Sequence, residues 1–344
     1  MLSRYKYEPN RPYIAMTPEM VSAKNAFLQK WDERLSLTPL NCFICERSDF
    51  EPVAEIDRYG FYYPTGLCKF CGNVQQSKYY SPECVADFYT NYYRFLYGNK
   101  SPEELFSEQI SRGERILLFA KGHIPPGGRV LEIGTGAGGI LSVFNDQGYS
   151  TVGLDFDDRM LAYGRSRGLT LLRGSTEALA ADDKFDLIIV CHVLEHVTDP
   201  VDFLEKTSQF LSPTGKIYIE VPSLESINYG GYEFDILLYL QNAHVTQFTR
   251  PTMENLLRKT GYRMVKFDPF IKCLIEKDPS AVGAWTNSAA YARDLLEQIE
   301  YNRTSITLSK VKHWLKRSLR KAVVAVATPL GLKKNLKALA ARMK

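Results

Sequence analysis

Four cysteines stand in two tight pairs, Cys42-x-x-Cys45 and Cys68-x-x-Cys71, with 22 residues between the pairs. A two-residue gap lets both sulfurs of a pair meet one tetrahedral ion. Four thiolates leave no coordination position open, so the chemistry implied is a structural zinc site. Binding of that kind can contribute on the order of 10 kcal/mol to folding a module too small to hold itself. Free buried thiols, a redox pair or an iron–sulfur cluster are the alternative readings of the same residues. Cys84, Cys191 and Cys273 are scattered, and the odd total of seven argues against a disulfide framework.

A second constellation is Arg129-Val-Leu-Glu132-Ile-Gly134-Thr-Gly136-Ala-Gly138-Gly-Ile-Leu141. An apolar strand runs into a glycine loop and then a helix, and glycine lets the backbone turn tightly and approach a ligand closely. Asp155 follows at the end of the next strand, 21 residues after Gly134, where a carboxylate can accept hydrogen bonds from ribose hydroxyls. Gly134-x-Gly136-x-x-Gly139 also satisfies a dinucleotide fingerprint, and an ordinary strand with a tight turn remains open. Glu132 favours a third ligand. A carboxylate there would repel a pyrophosphate, whereas S-adenosylmethionine brings a sulfonium and an ammonium of the matching sign.

The elements that would position these groups follow from periodicity. Apolar segments bounded by turn residues recur at Arg129–Ile133, Thr151–Leu154, Thr170–Leu172, Phe185–Cys191, Lys216–Val221, Arg263–Phe267 and Cys273–Glu276. Amphipathic stretches lie between several of them; one has Pro251 in its first turn and stops at Gly261. This alternation predicts an α/β fold with a mainly parallel sheet covered on both faces. Ser101-Pro-Glu-Glu104 is a helix start, with serine as N-cap and glutamate at the third position. A further helix is expected over Glu19–Leu37. Residues 79–98 carry eight aromatics, among them Phe88, Tyr89, Tyr92, Tyr93, Phe95 and Tyr97, at helical spacing.

The region Ser101–Glu276 resembles a class I S-adenosylmethionine-dependent methyltransferase, because its motifs occur in order. Glu132-Ile-Gly134-Thr-Gly136-Ala-Gly138 resembles the glycine motif, Asp155 the ribose-binding acid and Phe156 the apolar neighbour lying against adenine. Arg173-Gly-Ser175-Thr176-Glu177 matches the loop after the third strand, with Ser175 where relatives often carry an aspartate. Phe185 to Pro200, including Cys191 and His192, matches the fourth-strand motif, and Leu211 to Pro222 the turn and strand after it. The resemblance implies a Rossmann-like, doubly wound seven-stranded sheet with S-adenosylmethionine as cofactor. It places Glu132, Gly134, Gly136, Gly138, Asp155, Phe156, Ser175, Thr176, Cys191 and His192 around that cofactor. Three histidines are the catalytic candidates: His192 near the donor's methionine end, His196 beside Glu195, and His244 in an aromatic-rich insertion after the fifth strand. His244 resembles a family histidine and is the leading base.

A zinc knuckle joined through a tyrosine-rich link to such a body resembles bacterial methyltransferases of sugar and polysaccharide biosynthesis. The acceptor implied is a sugar, nucleotide-sugar or related small molecule or glycan, methylated at a hydroxyl. An RNA methyltransferase with a zinc-bearing recognition module is the alternative enzyme, and a non-catalytic scaffold that keeps the fold the alternative class. Three parts are expected: a zinc-binding, aromatic-rich module (1–100), the methyltransferase domain (101–278) and a helical basic tail (279–344).

The 344-residue composition, with apolar residues at 45%, is that of a globular chain and excludes extensive disorder. The stretch from Tyr301 to Lys344 holds 12 basic residues and no acid, leaving 31 basic against 39 acidic side chains before it. An acidic body disfavours nucleic acid as partner. The tail, with a basic amphipathic helix expected over 305–327 and a short last helix, is compatible with an anionic membrane surface, packing on the body, or RNA. No uncharged apolar run approaches a membrane span and the N-terminus has no signal-peptide core, so a cytoplasmic location, peripheral at the inner membrane face if the tail binds lipid, is expected. Oligomeric state stays open.

Overall fold

A computed structural model describes residues 3–9, 11–31 and 37–305, together with Val311 and Leu315. The helices expected in the basic tail therefore fall almost wholly outside the described residues. In the N-terminal part, α1 (Pro18–Lys30) precedes five strands: β1 (Leu37–Pro39), β2 (Phe50–Ile56), β3 (Tyr62–Cys68), β4 (Val74–Gln76) and β5 (Lys78–Tyr80). The helix expected to reach Leu37 stops at Lys30, because Leu37 instead pairs with Tyr80 between β1 and β5. The aromatic link becomes α2 (Pro82–Asn91) and α3 (Tyr93–Leu96), broken at Tyr92.

The body runs through α4 (Pro102–Ala120), β6 (Arg129–Ile133), α5 (Gly139–Asp146), β7 (Ser150–Asp155), α6 (Asp158–Ser166), β8 (Leu171–Arg173), β9 (Phe185–Cys191), α7 (Pro200–Ser208) and β10 (Leu211–Glu220). After an irregular insertion come α8 (Ile236–Tyr239), β11 (Thr246–Gln247), α9 (Arg250–Thr260), β12 (Tyr262–Asp268), β13 (Lys272–Lys277) and α10 (Ala289–Thr304). All seven expected strands enter one sheet, in the order β12-β13-β10-β9-β6-β7-β8. The five from β6 to β10 pair in parallel, while β13 runs antiparallel to both β10 and β12. Both faces are covered. Leu131, Ile133, Ile188 and Ile217 pack to one side and Val130, Leu187, Ile189 and Tyr218 to the other, which is period two read directly from the strands.

Local chemistry sets the helix ends. Ser101 and Glu104 form a reciprocal capping box at α4. Thr249 caps α9, which ends on Gly261 in the left-handed region. Helix α10 starts at Ala289, and Thr286 ahead of it is tied to α9 by Asn255, whose Oδ1 accepts its N–H at 2.8 Å.

Two features cross the boundary expected at residue 101. β11, from the insertion after β10, is the fourth strand of the N-terminal sheet, ordered β11-β4-β3-β2. Ser288, the N-cap of α10, donates both its N–H and its hydroxyl to the Cys71 carbonyl, at 3.1 and 2.7 Å.

Close packing of α4 on α5 holds the glycine loop. A Cβ on Gly139 would lie 2.2 Å from the Phe106 carbonyl oxygen and 2.8 Å from the Gln109 Cβ. Helix backbone cannot yield as a side chain does. Gly139→Ala is therefore expected to destabilise the fold by about 1–3 kcal/mol, as overpacking does. A lower urea midpoint with unchanged denaturant slope checks it.

Candidate active site

The carboxyl ends of β6 and β7 carry the first group of residues expected around the cofactor. Glu132 is 1% exposed, and its Oε2 accepts a hydrogen bond from the Thr135 hydroxyl at 2.8 Å. Gly134, Gly136 and Gly138 all lie at positive φ, and the N–H groups of Gly134 and Thr135 both donate to the Leu154 carbonyl. A Cβ on Gly134 would meet the Val193 side chain at 2.5 Å, so the loop after β9 closes over the glycine turn. Asp155 accepts the Gly136 N–H through Oδ2 at 2.7 Å and the Asp157 N–H through Oδ1 at 2.9 Å. Phe156 is 66% exposed beside it. Ser175 and Thr176 are half-buried, and their loop is tied to β7 by Gly174 N–H donating to the Asp155 carbonyl.

Burial pushes the Glu132 carboxyl up to about 8; the negative charge of Asp155 adds to this, while the Thr135 hydrogen bond and Arg112 oppose it. Burial thus favours the protonated carboxyl near neutral pH, where the sequence implied a standing negative charge.

Sequence reasoning missed Gln109. Its Nε2 donates to the Thr135 carbonyl at 2.9 Å and its Oε1 accepts the Gly139 N–H at 3.0 Å, bracing both sides of the loop. The signal was present: Gln109 sits in the buried stripe of α4 with Phe106, Gly113 and Ile116.

The ends of β9 and β10 build the second half. His192, at φ 55°, keeps 35% of its side chain exposed, with Nδ1 3.3 Å from Glu195 Oε1 and Nε2 3.8 Å from Glu220 Oε1. Cys191 is buried next to it. His196 Nδ1 lies 3.0 Å from both the Tyr89 hydroxyl and the Ala243 carbonyl. The His196 and His244 rings meet edge to face with centroids 4.8 Å apart. Burial holds both imidazoles below the usual histidine range, His244 well below it, so both are neutral near pH 7. His244 is 3% exposed, and its carbonyl accepts from Tyr63 and Gln76 of the N-terminal sheet, at 2.6 and 3.0 Å. All three catalytic candidates thus converge, and His192 is the most exposed of them.

The residue at their centre is Glu195, another that sequence reasoning passed over. It is 1% exposed and its Oε2 has no hydrogen-bond partner. The aromatic link walls this space. Tyr89 reaches His196, Tyr93 stacks on Tyr97 at 4.4 Å, and Arg94 pairs with Asp157 at 2.8 Å beside the Asp155 turn.

Some way off, Cys42, Cys45, Cys68 and Cys71 bring their sulfurs within 4.8 Å of one another, with Cys42–Cys71 at 3.3 Å and Cys45–Cys68 at 3.4 Å. Positive φ at Glu46 and Gly72, just past each pair, turns the two knuckles inward. The group could hold a tetrahedral metal ion, for which thiolate pairs about 2.3 Å from the metal stand roughly 3.8 Å apart. Among the described residues, no helix is long and apolar enough to cross a membrane.

Known proteins resemble this chain over part of its length. The demethylmenaquinone methyltransferase of Renibacterium salmoninarum is 32% identical over 114 residues, covering 32% of this chain and 48% of that protein. The ubiquinone biosynthesis O-methyltransferase of Roseobacter denitrificans is 38% identical over 94 residues, covering 25% and 38%. The chain thus spans about half or less of the length of these two curated relatives. Among solved structures, DesVI of Streptomyces venezuelae is 20% identical, with a TM-score of 0.31, over 40% of this chain and 58% of that one. The glycopeptide N-methyltransferase MtfA bound to S-adenosylmethionine is 22% identical, with a TM-score of 0.30, over 35% and 57%. Residues 104–266, which carry the glycine loop, Asp155 and the Glu195 cluster, match the family model described as a methyltransferase domain.

Proposed function

We propose that the protein transfers a methyl group from S-adenosylmethionine to a hydroxyl of a sugar, nucleotide-sugar or polysaccharide-related small molecule, with a structural zinc ion on the four cysteines. The observation that carries the donor is the braced glycine loop set between buried Glu132 and Asp155 at the carboxyl edge of β6 and β7. Asp155 would take the ribose hydroxyls, exposed Phe156 the adenine face, Ser175 and Thr176 its edge, and Cys191 and His192 the methionine end. The bound donor supplies the methyl group and, in its sulfonium, the leaving group.

This chain's residues then do three things. They hold the acceptor oxygen in line with the methyl carbon, and orientation of that kind can supply roughly 7–11 kcal/mol of the barrier. They exclude water, through the aromatic wall of Tyr89, Tyr93 and Tyr97. They receive the proton of the acceptor hydroxyl, for which His192 is the best-exposed imidazole and His196 and His244 stand behind it. Aromatic faces beside polar groups suit the C–H faces and hydroxyls of a sugar ring, and the zinc knuckle with its tyrosine link lies outside the segment shared with the family model. The quinone methyltransferases among the relatives make a phenolic hydroxyl the competing acceptor.

Calorimetry on the purified chain tests the donor. Binding of S-adenosylmethionine, displaced by S-adenosylhomocysteine, is expected; capture of a nicotinamide dinucleotide in its place would overturn the reading. Transfer of labelled methyl to nucleotide-sugars against quinols then separates the acceptors.

A further inference from the structure

We infer that Glu195, His196 and His244 form a divalent-cation site at the carboxyl end of β9, distinct from the four-cysteine cluster. The inference does not depend on the methyl-transfer reading.

A backbone carbonyl can only accept, so the 3.0 Å contact of His196 Nδ1 with the Ala243 carbonyl puts the ring proton on Nδ1. His196 Nε2 is then a bare lone pair, and it lies 3.8 Å from Glu195 Oε1. The Gln241 amide is oriented by Arg58, whose guanidinium donates to its Oε1. Its NH2 group therefore meets His244 Nε2, which makes that nitrogen an acceptor as well, 3.9 Å from the same Glu195 oxygen. Three acceptor atoms converge, and the groups that reach two of them, His192 Nδ1 on Glu195 Oε1 and the Gln241 amide on His244 Nε2, come from other residues. The second carboxylate oxygen is buried and has no partner. Buried polar groups are ordinarily satisfied, and a set of acceptors facing each other is satisfied by a cation.

The geometry suits a metal ion. Glu195 Oε1 stands 3.8 Å from His196 Nε2 and 3.9 Å from His244 Nε2. Two donors each about 2.1 Å from one ion stand roughly 3.0–4.2 Å apart for angles from a right angle to a straight line. His196 also has the outer contact typical of a metal-bound imidazole, its other ring nitrogen bonded to a carbonyl. Two imidazoles and one carboxylate are the donor set of borderline divalent ions, of the zinc, cobalt(II) and iron(II) class, and leave coordination positions open. The ion would displace the Gln241 amide from His244. His192, with Nδ1 3.3 Å from Glu195 Oε1, borders the site on its most exposed side.

The test uses the full chain with its cysteine cluster first loaded with zinc, then titrated with cobalt(II). The expected result is one further equivalent with a weak visible d–d band and no thiolate charge-transfer band. Glu195→Gln is expected to weaken that cobalt binding at least a hundredfold while zinc stays on the cysteines, which shows that the variant is folded. Wild-type protein that takes up no cobalt after zinc loading would overturn the site without any variant. So would a Glu195→Gln protein that binds cobalt as wild type does. Should Glu195→Gln lose its zinc as well, His244→Gln takes its place, with the same two outcomes.

Discussion

The zinc proposed for the four-cysteine cluster is expected to be lost when Cys71 is replaced with serine, and with it the cooperative unfolding transition of the whole protein. A structural ion of this kind contributes on the order of 10 kcal/mol. That matches the roughly 5–15 kcal/mol by which a domain is stable at all. Loss would not stay local, because the knuckles share a core with the seven-stranded sheet: Cys42, Ile44, Cys68 and Cys71 are buried in one cluster with Leu131, Ile133, Phe248 and Met253. The clamp is also bonded from outside. Lys259 of α9 donates to the carbonyls of Phe43 and Ile44 at 3.0 and 3.2 Å, and Ser288 holds the Cys71 carbonyl. A Cβ on Gly72 would come 2.4 Å from the Ser288 carbonyl carbon, so the second knuckle lies against the start of α10. Metal analysis and thermal circular dichroism of wild type, Cys71→Ser and Cys84→Ser check the claim. Cys84 is buried but outside the cluster, so its variant should keep its zinc. Should Cys71→Ser melt with the wild-type protein at unchanged zinc content, the cluster is no metal clamp.

The strands were legible because a sheet covered on both faces needs strands that are near-continuous apolar runs, and turn residues bound each of these. All seven appear within a few residues of where the runs stand. The helix ends with a stated chemistry were legible too: Ser101 with Glu104 at α4, and Pro251 with Gly261 at α9. β11 was not, since two residues carry no periodicity and its partner, β4, lies some 170 positions earlier. Glu195 escaped for the same physical reason. Its position between Leu194 and His196 is unremarkable, and only the fold brings His244 to it from 49 residues away. The protonation of Glu132 was beyond the sequence as well, because it depends on how completely α4 and the glycine loop seal the strand end.

That protonation carries the second large effect. The folded-state value of Glu132, about 8, lies above the ordinary 4.5. Below about pH 4.5 the carboxyl is protonated whether the chain is folded or not. Between pH 4.5 and 8 the folded protein keeps a proton that the unfolded chain has released, so this group's contribution to stability falls as pH rises. A cationic donor reverses the preference, since it favours the ionised carboxylate. Binding of S-adenosylmethionine near pH 7 is therefore expected to release a proton. Affinity should rise with pH up to about 8, by at most about tenfold per unit. S-adenosylhomocysteine, without the sulfonium charge, should show a shallower rise. Glu132→Gln can keep the Thr135 hydrogen bond but never ionises. It should bind the donor about tenfold or more weakly at pH 8, lose the proton release, and unfold at a higher temperature than wild type at that pH. Any titration belonging to the donor itself is shared by wild type and variant, so the difference between them isolates Glu132. Calorimetry in two buffers of unlike ionisation enthalpy reads the proton directly. An affinity that is flat with pH in wild type, with no buffer dependence, would show that the buried carboxyl does not answer to the donor's charge. A Glu132→Gln protein less stable than wild type at pH 8 would show that its ionised form is held by a partner rather than penalised by burial.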